Sequence, residues 1–237
     1  MAQLTTSPAT RVPVVDVIRD AIRQRLIAPG APLVQSALAD ALGVSKIPIR
    51  EALHTLASEG LVTFAEDGAH VTLLSPGEIH ELWTLRSAVE PLLAEAIVRR
   101  LGPADREALA QLVAAMDSAE GDAWSDLNYV FHTELYRLSG MAHTAAMATR
   151  LLTRLEPYSR TAVNLLAGRP AAQAEHHEML AALDARDAAA LREVIERHST
   201  RVRDLLMADA AAQAAPPGRS AAAAEAARGL AERLGSS

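Results

Sequence analysis

The stretch Leu38-Ala-Asp-Ala-Leu-Gly-Val-Ser-Lys-Ile-Pro-Ile-Arg-Glu-Ala-Leu53 decides the fold of the first third of the chain. Its opening residues put Leu38, Ala39 and Leu42 on one stripe of a short helix over 35–42, and Gly43 suits the left-handed residue that ends a helix. Ser45 reads as the N-cap of a second helix with Pro48 in its first turn. That helix runs to about Glu59 and buries Ile49, Ala52, Leu53 and Leu56. Helices separated by Gly43-Val44-Ser45 form a helix-turn-helix. Upstream, Val14, Val17, Ile18, Ala21, Ile22 and Leu26 mark a helix from Val14 to Ala28, stopped by Pro29-Gly30. Downstream, Leu61–Phe64 and His70–Leu73 read as two short strands joined by the polar turn 65–69. A helix-turn-helix followed by a hairpin is the layout of a winged DNA-binding domain.

Beyond Ser75 the pattern is helical throughout. Ser75, Pro76 and Glu78 predict an N-cap, a first-turn proline and a capping box. The predicted helices are Pro76–Leu101, Pro103–Ala119, Ala123–Ser139, Thr144–Leu166, Pro170–Ala185 and Asp187–Ala208, with breakers between them at Gly102, Gly121, Gly140, Gly168 and Arg186-Asp187. Such a series predicts an antiparallel bundle. The expected fold class is therefore mainly α, an N-terminal winged helix-turn-helix with a small β-hairpin and a C-terminal helical bundle. The expected organisation is a flexible 1–11, a winged unit over 12–74, a helical unit over 75–208 and an alanine-rich mobile tail over 209–237, with a frayed helix from Ala221 to Leu234.

Composition narrows the function. The 237 residues carry a net charge of −6, with 22 arginines against the single lysine Lys46. The first 75 residues hold six basic and seven acidic side chains, so any DNA binding there depends on local placement rather than on bulk charge. Alanine, the best helix former, makes up about a fifth of the chain. Cysteine is absent, which excludes disulfides, zinc–thiolate sites, iron–sulfur clusters and cysteine nucleophiles. No apolar run reaches the roughly 18 residues of a membrane span. Met1–Thr10 lack the layout of a signal peptide, so the protein is expected in the cytoplasm, with no membrane partner.

Four positions point to a metal. Asn128 and His132 are four apart and share one helix face. His176 and His198 are 22 apart, with Arg186-Asp187 at their midpoint. If two helices fold back there, each histidine lies roughly 16 Å from the bend, level with the other. His177, about 100° further round the same helix, is the alternative to His176. Histidine-rich ligation suits a divalent transition metal, zinc first, with nickel, manganese or iron also suited. On an octahedral ion, three imidazoles and an amide leave about two positions open, which a small carboxylate or hydroxy acid fills. The same features also fit a metal-dependent hydrolase or lyase. The sequence places no dedicated general base by the ligands, since Glu175 and Glu178 read as solvated helix charges, and there is no catalytic motif. An enzyme is therefore not the expected function.

The segment Leu38–Leu53, followed by Glu59-Gly-Leu-Val62, closely resembles the winged-helix signature of GntR-type bacterial transcription regulators. Leu85-Arg-Ser-Ala-Val-Glu90 resembles the opening of the all-helical ligand-binding domain of their FCD branch. The resemblance covers about residues 12–205. It implies a homodimer on a palindromic double-stranded operator, controlled by a small organic acid effector. It also implies DNA contacts by Ser45, Lys46 and Arg50, with Gly68 at a wing tip approaching the minor groove. Physically, a helix N-terminus holds a phosphate, and arginine matches guanine bidentately. The metal spacing is similar to that of FCD domains too. There Arg86 matches a cavity-facing position able to pair with a carboxylate, while a structural pair with Glu90 is its other reading. Arg150, Arg154 and Tyr158, on a helix turned partly inward, are further effector candidates. The chain departs from the family pattern at Ser36, often basic, at Lys46, usually arginine, at Ile47, commonly threonine, and at Asn128, usually aspartate.

Overall fold

The computed structural model describes residues 12–165 and 168–212. The termini beyond those limits, including the expected flexible 1–11 and the expected helix Ala221–Leu234, lie outside the described residues. The chain divides into two compact units, one ending at Thr72 and the other beginning at Leu73.

In the first unit, α1 (Val14–Arg23), α2 (Gln35–Leu42) and α3 (Lys46–Glu59) enclose a core with Ile18, Ile22, Ile49, Leu53 and Leu56, each at most 1% exposed. Burying each such side chain contributes about 1.5–3 kcal/mol. Gly43 closes α2 in the left-handed region at φ 62°, as its position predicts. Arg19 spans from α1 to α3, donating from Nε and Nη2 to the two carboxylate oxygens of Glu59 at 2.8 and 2.7 Å.

Three local expectations are corrected. Helix α1 stops at Arg23 rather than Ala28, because Arg25 turns left-handed (φ 58°) and sends Ile27 back into the core. Ser45 occupies the N-cap position of α3 by its backbone, yet its side chain makes no capping hydrogen bond. The hairpin pairs β1 (Val62–Ala65) with β2 (Gly68–Val71), from Val62 opposite Val71 to Ala65 opposite Gly68. Its turn is the two residues Glu66-Asp67 instead of five. A tight turn needs unusual backbone, which Gly68 provides at φ 126°. The segment after α1 also joins this edge: Leu33 N donates to Ala69 O at 2.7 Å and Val71 N to Ala31 O at 2.9 Å.

The second unit begins with α4 (Pro76–Val89), whose Ser75–Glu78 capping box is present as expected. The long helix predicted to Leu101 is broken into α4, a 3₁₀ turn over Glu90–Leu93 and α5 (Ala94–Arg100). Pro91, which has no N–H to donate and clashes with the preceding turn, accounts for the break. There follow α6 (Pro103–Ser118), α7 (Gly121–Leu138), α8 (Ala142–Leu165), α9 (Arg169–Asp184) and α10 (Ala188–Ala212). Helix α10 continues four residues past the expected end of the bundle. Arg186 is left-handed (φ 55°), and the Asp187 carboxylate accepts from the backbone N–H of Ala189 and Ala190 at 3.0 and 2.9 Å. Together they fold α9 and α10 into the hairpin that the sequence predicts. Trp83 pins α4 to α10 by donating its indole N–H to Ser199 O at 2.6 Å. Among the described residues no helix is long and apolar enough to cross a membrane.

Candidate metal centre and nucleic-acid interface

Helices α7, α9 and α10 bring His132, His176 and His198 together inside the second unit. The three are 3%, 0% and 5% exposed, and one nitrogen from each lies within 4.8 Å of the others. Their ring centroids are 5.2–5.4 Å apart. The fold-back at Arg186 sets the last two level with each other.

The protonation of these rings can be read from their partners. Glu175 accepts from His198 Nδ1 at 2.8 Å and from Arg201 Nε at 2.9 Å. Burial by itself would raise the Glu175 carboxyl, but those hydrogen bonds outweigh it and hold it down at about 2. An anion there fixes Nδ1 of His198 as the protonated nitrogen and leaves Nε2 as a lone pair. Gln173 acts likewise for His176. Its amide nitrogen donates to Val113 O and Asp117 Oδ1 at 3.0 and 2.7 Å, so its oxygen faces the His176 Nδ1–H at 3.3 Å. Burial pushes all three imidazoles below their ordinary range, so they are neutral near pH 7, the state that binds a metal.

Two ring nitrogens of the trio, His132 Nε2 and His176 Nε2, are buried with no hydrogen-bond partner, and so is Asn128 Oδ1 one turn before His132. Leaving such an atom unpaired costs about 1–3 kcal/mol. Their donor type, all nitrogen and amide oxygen, fits a borderline divalent ion. Asn128, His132 and His198 line one cavity of about 20 Å³, measured for the centre of a water-sized sphere. That is room for roughly one water.

The predicted effector residues separate. Arg86 lines the cavity and also makes the structural pair: its Nε donates to Glu90 at 2.6 Å, and its Nη2 to Tyr136 Oη at 3.3 Å. Tyr136 and Ser199 both donate to Glu90, so this buried carboxylate has three partners. Arg150, Arg154 and Tyr158 are not on the cavity wall. Arg150 is exposed, and the Tyr158 hydroxyl accepts from Leu74 N at 2.8 Å. Arg154 is half-buried, and burial lowers its guanidinium below the ordinary range, with the charge of Arg150 adding to this. His177 faces away, towards Asp117 at 2.9 Å. The cavity wall instead includes Ser125, Glu156, Ser159 and Arg160, none of which the sequence reading singled out. Helical spacing offered one signal, since Leu152, Glu156 and Ser159 form a stripe of their own.

In the first unit, Ser45, Lys46 and Arg50 are all exposed, while Ile49, Leu53 and Leu56 are buried on the opposite face of α3. Lys46 and Arg50, four apart, thus project from one side of a helix anchored on the core. Gly68 is exposed at the hairpin turn, beside the exposed acids Glu66 and Asp67. Asp67 accepts from His70 at 2.9 Å.

Two exposed cations on the second helix of a winged helix-turn-helix, in one chain with a helical bundle holding a buried histidine trio, define the class of two-part DNA-binding regulators. The comparisons agree. The profile of the bacterial regulatory proteins of the gntR family matches residues 10–70, and that of the FCD domain matches residues 81–201. An uncharacterized HTH-type transcriptional regulator in an unstable DNA locus of Streptomyces ambofaciens is 30% identical over 181 residues, 75% of this chain and 77% of that protein. The HTH-type transcriptional regulator McbR of Escherichia coli K12 is 31% identical over 171 residues, 67% of this chain and 75% of that one. A solved structure of E. coli McbR/YncC superposes with a TM-score of 0.74 at 26% identity, covering 84% of this chain and 99% of that one. The chain belongs to the GntR family and carries an FCD domain behind its winged helix-turn-helix; it is a DNA-binding transcription regulator of that type.

Proposed function

We propose that this regulator responds to a small organic acid held at a divalent metal in its helical unit, and binds as a homodimer to a palindromic operator. His132, His176 and His198 would hold the ion, zinc by preference, with Asn128 as a fourth ligand. When bound, the ion supplies a Lewis-acidic anchor for a carboxylate oxygen. The observation that carries this reading is the gathering of buried, unpartnered ligand atoms: His132 Nε2, His176 Nε2 and Asn128 Oδ1.

The chain's own groups prepare the site. Glu175 holds the proton of His198 on Nδ1, Gln173 orients His176, and the surrounding aromatic rings of Trp124 and Phe131 exclude water. Arg86, held by Glu90 and Tyr136, places positive charge on the cavity wall. In the winged unit, Ser45 and the N-terminus of α3 would take a phosphate, Lys46 and Arg50 would reach base edges, and Gly68 would let the hairpin turn approach the minor groove. The working units are 12–74 for DNA and 75–208 for metal and effector, acting in the cytoplasm on the chromosome. Effector occupancy would shift operator affinity through a coupling of about 1–3 kcal/mol.

Elemental analysis of the purified full chain tests the metal: about one ion per subunit is expected, falling to near zero in His132→Ala. Unchanged metal content in that variant would reject the site. Asn128→Asp should slow loss of the ion to a chelator, and faster loss would remove Asn128 from the ligand set.

A further inference from the structure

The α7–α8 wall of the cavity contains polar atoms that metal binding leaves unused. Ser125 is 2% exposed and its Oγ has no hydrogen-bond partner; Arg160 is 5% exposed and its Nε has none either. Both residues line the cavity with Asn128 and His132, and Ser125 lies three residues before Asn128 on the same helix face. Arg160 is fixed from its far end. Its Nη1 donates to Asp122 O and Oδ1 at 3.2 and 2.9 Å, and its Nη2 to Asp126 Oδ1 at 2.5 Å. Of its five N–H groups, the one on Nε has no acceptor, and the second on Nη2 has only Glu156 Oε1 near it, at 3.9 Å. Arg86 on another part of the wall already donates to Glu90 and Tyr136.

Two unsatisfied buried groups on one wall are unusual in a folded protein and call for an oxygen between them. The charge of the wall says which kind. Asp122 and Asp126 compensate Arg160, and the carboxylate of Glu156, 2% exposed, lines the same cavity, 3.9 Å from Arg160 Nη2 and accepting from Ser159 Oγ at 3.5 Å. A second carboxylate on the ligand would face Glu156 across a poorly hydrated space and be repelled. A hydroxyl matches both kinds of group there, accepting from Arg160 Nε–H and donating to Glu156, with Ser125 Oγ able to do either.

We propose that Ser125, Arg160 and Glu156 form a hydroxyl-recognising subsite, and that the effector is a short hydroxy acid rather than a simple or a dibasic acid. The inference rests on the reading that a carboxylate binds at the metal.

Calorimetry on the zinc-loaded full chain tests this with two matched pairs, glycolate against acetate and 3-hydroxypropionate against propionate. In at least one pair the hydroxy acid is expected to bind about tenfold or more tightly, the effect of satisfying buried donors. Ser125→Ala and Arg160→Lys should each shrink that preference several-fold and leave the plain acid within about twofold of its original affinity. Both variants are checked by circular dichroism, and Ser125→Ala, the smaller change, carries the test should Arg160→Lys unfold. Equal affinity within both pairs, a preference untouched by either variant, or malonate binding more tightly than the hydroxy acids overturns the subsite and leaves the metal-bound carboxylate standing. Failure of all the acids to bind overturns both.

Discussion

The two units show function in opposite ways. In the winged unit the candidate residues Ser45, Lys46 and Arg50 are exposed on a helix whose other face, Ile49, Leu53 and Leu56, is buried. There the core only has to hold the helix rigid, and the chemistry lies in cations offered to solvent. In the helical unit the candidate histidines His132, His176 and His198 are buried, with His176 at 0%. Their chemistry shows as hydrogen-bonding capacity that the fold buries and does not use. An exposed site is recognised by what it presents, a buried one by what it leaves unsatisfied.

That contrast can be broken most directly at His176. His176→Ala removes a ligand from a closed cluster, so metal measured by elemental analysis should drop from about one per subunit to near zero, while operator binding by the isolated winged surface chemistry keeps its Arg50 dependence. Arg50→Ala works on the other side. If Arg50 reads a base, specific operator affinity falls roughly 5–150-fold in a titration with labelled duplex, and metal content stays the same. A change in metal content with Arg50→Ala would show that the two kinds of site are not separable. Glu175→Gln keeps all three imidazoles and removes only the charge that sets His198, so metal affinity in a competition with a chelator should fall about 10–100-fold. Ser75→Ala, which breaks the capping box of α4, should cost about 1 kcal/mol of stability in thermal unfolding and touch neither metal nor DNA affinity by more than about twofold.

The sequence shows the skeleton wherever a local rule acts alone. Gly43 ends α2, Ser75 and Glu78 start α4, and Arg186-Asp187 reverses the chain so that His176 and His198 meet. It is less informative where a residue obeys two rules. Pro91 sits in a stretch of good helix formers and still breaks the helix, and Ser45 has the type of a capping residue but presents its hydroxyl elsewhere. Three of the effector candidates lie off the cavity wall for a geometric reason. Arg150, Arg154 and Tyr158 share one stripe of α8, but the cavity is lined by the Leu152–Glu156–Ser159 stripe, about 160° round the helix. Arg160 escaped notice because a buried arginine and a surface arginine look alike until the carboxylates of Asp122 and Asp126 are seen to hold it.

The cramped chamber beside the histidines has a consequence for timing. A guest larger than a water cannot slip into 20 Å³ at the pace of diffusion; the helices around it must first part. For an effector bound as proposed, arrival would then depend on how often the bundle opens, and departure would be slowed in the same way; such a regulator would follow sustained supply more closely than brief pulses.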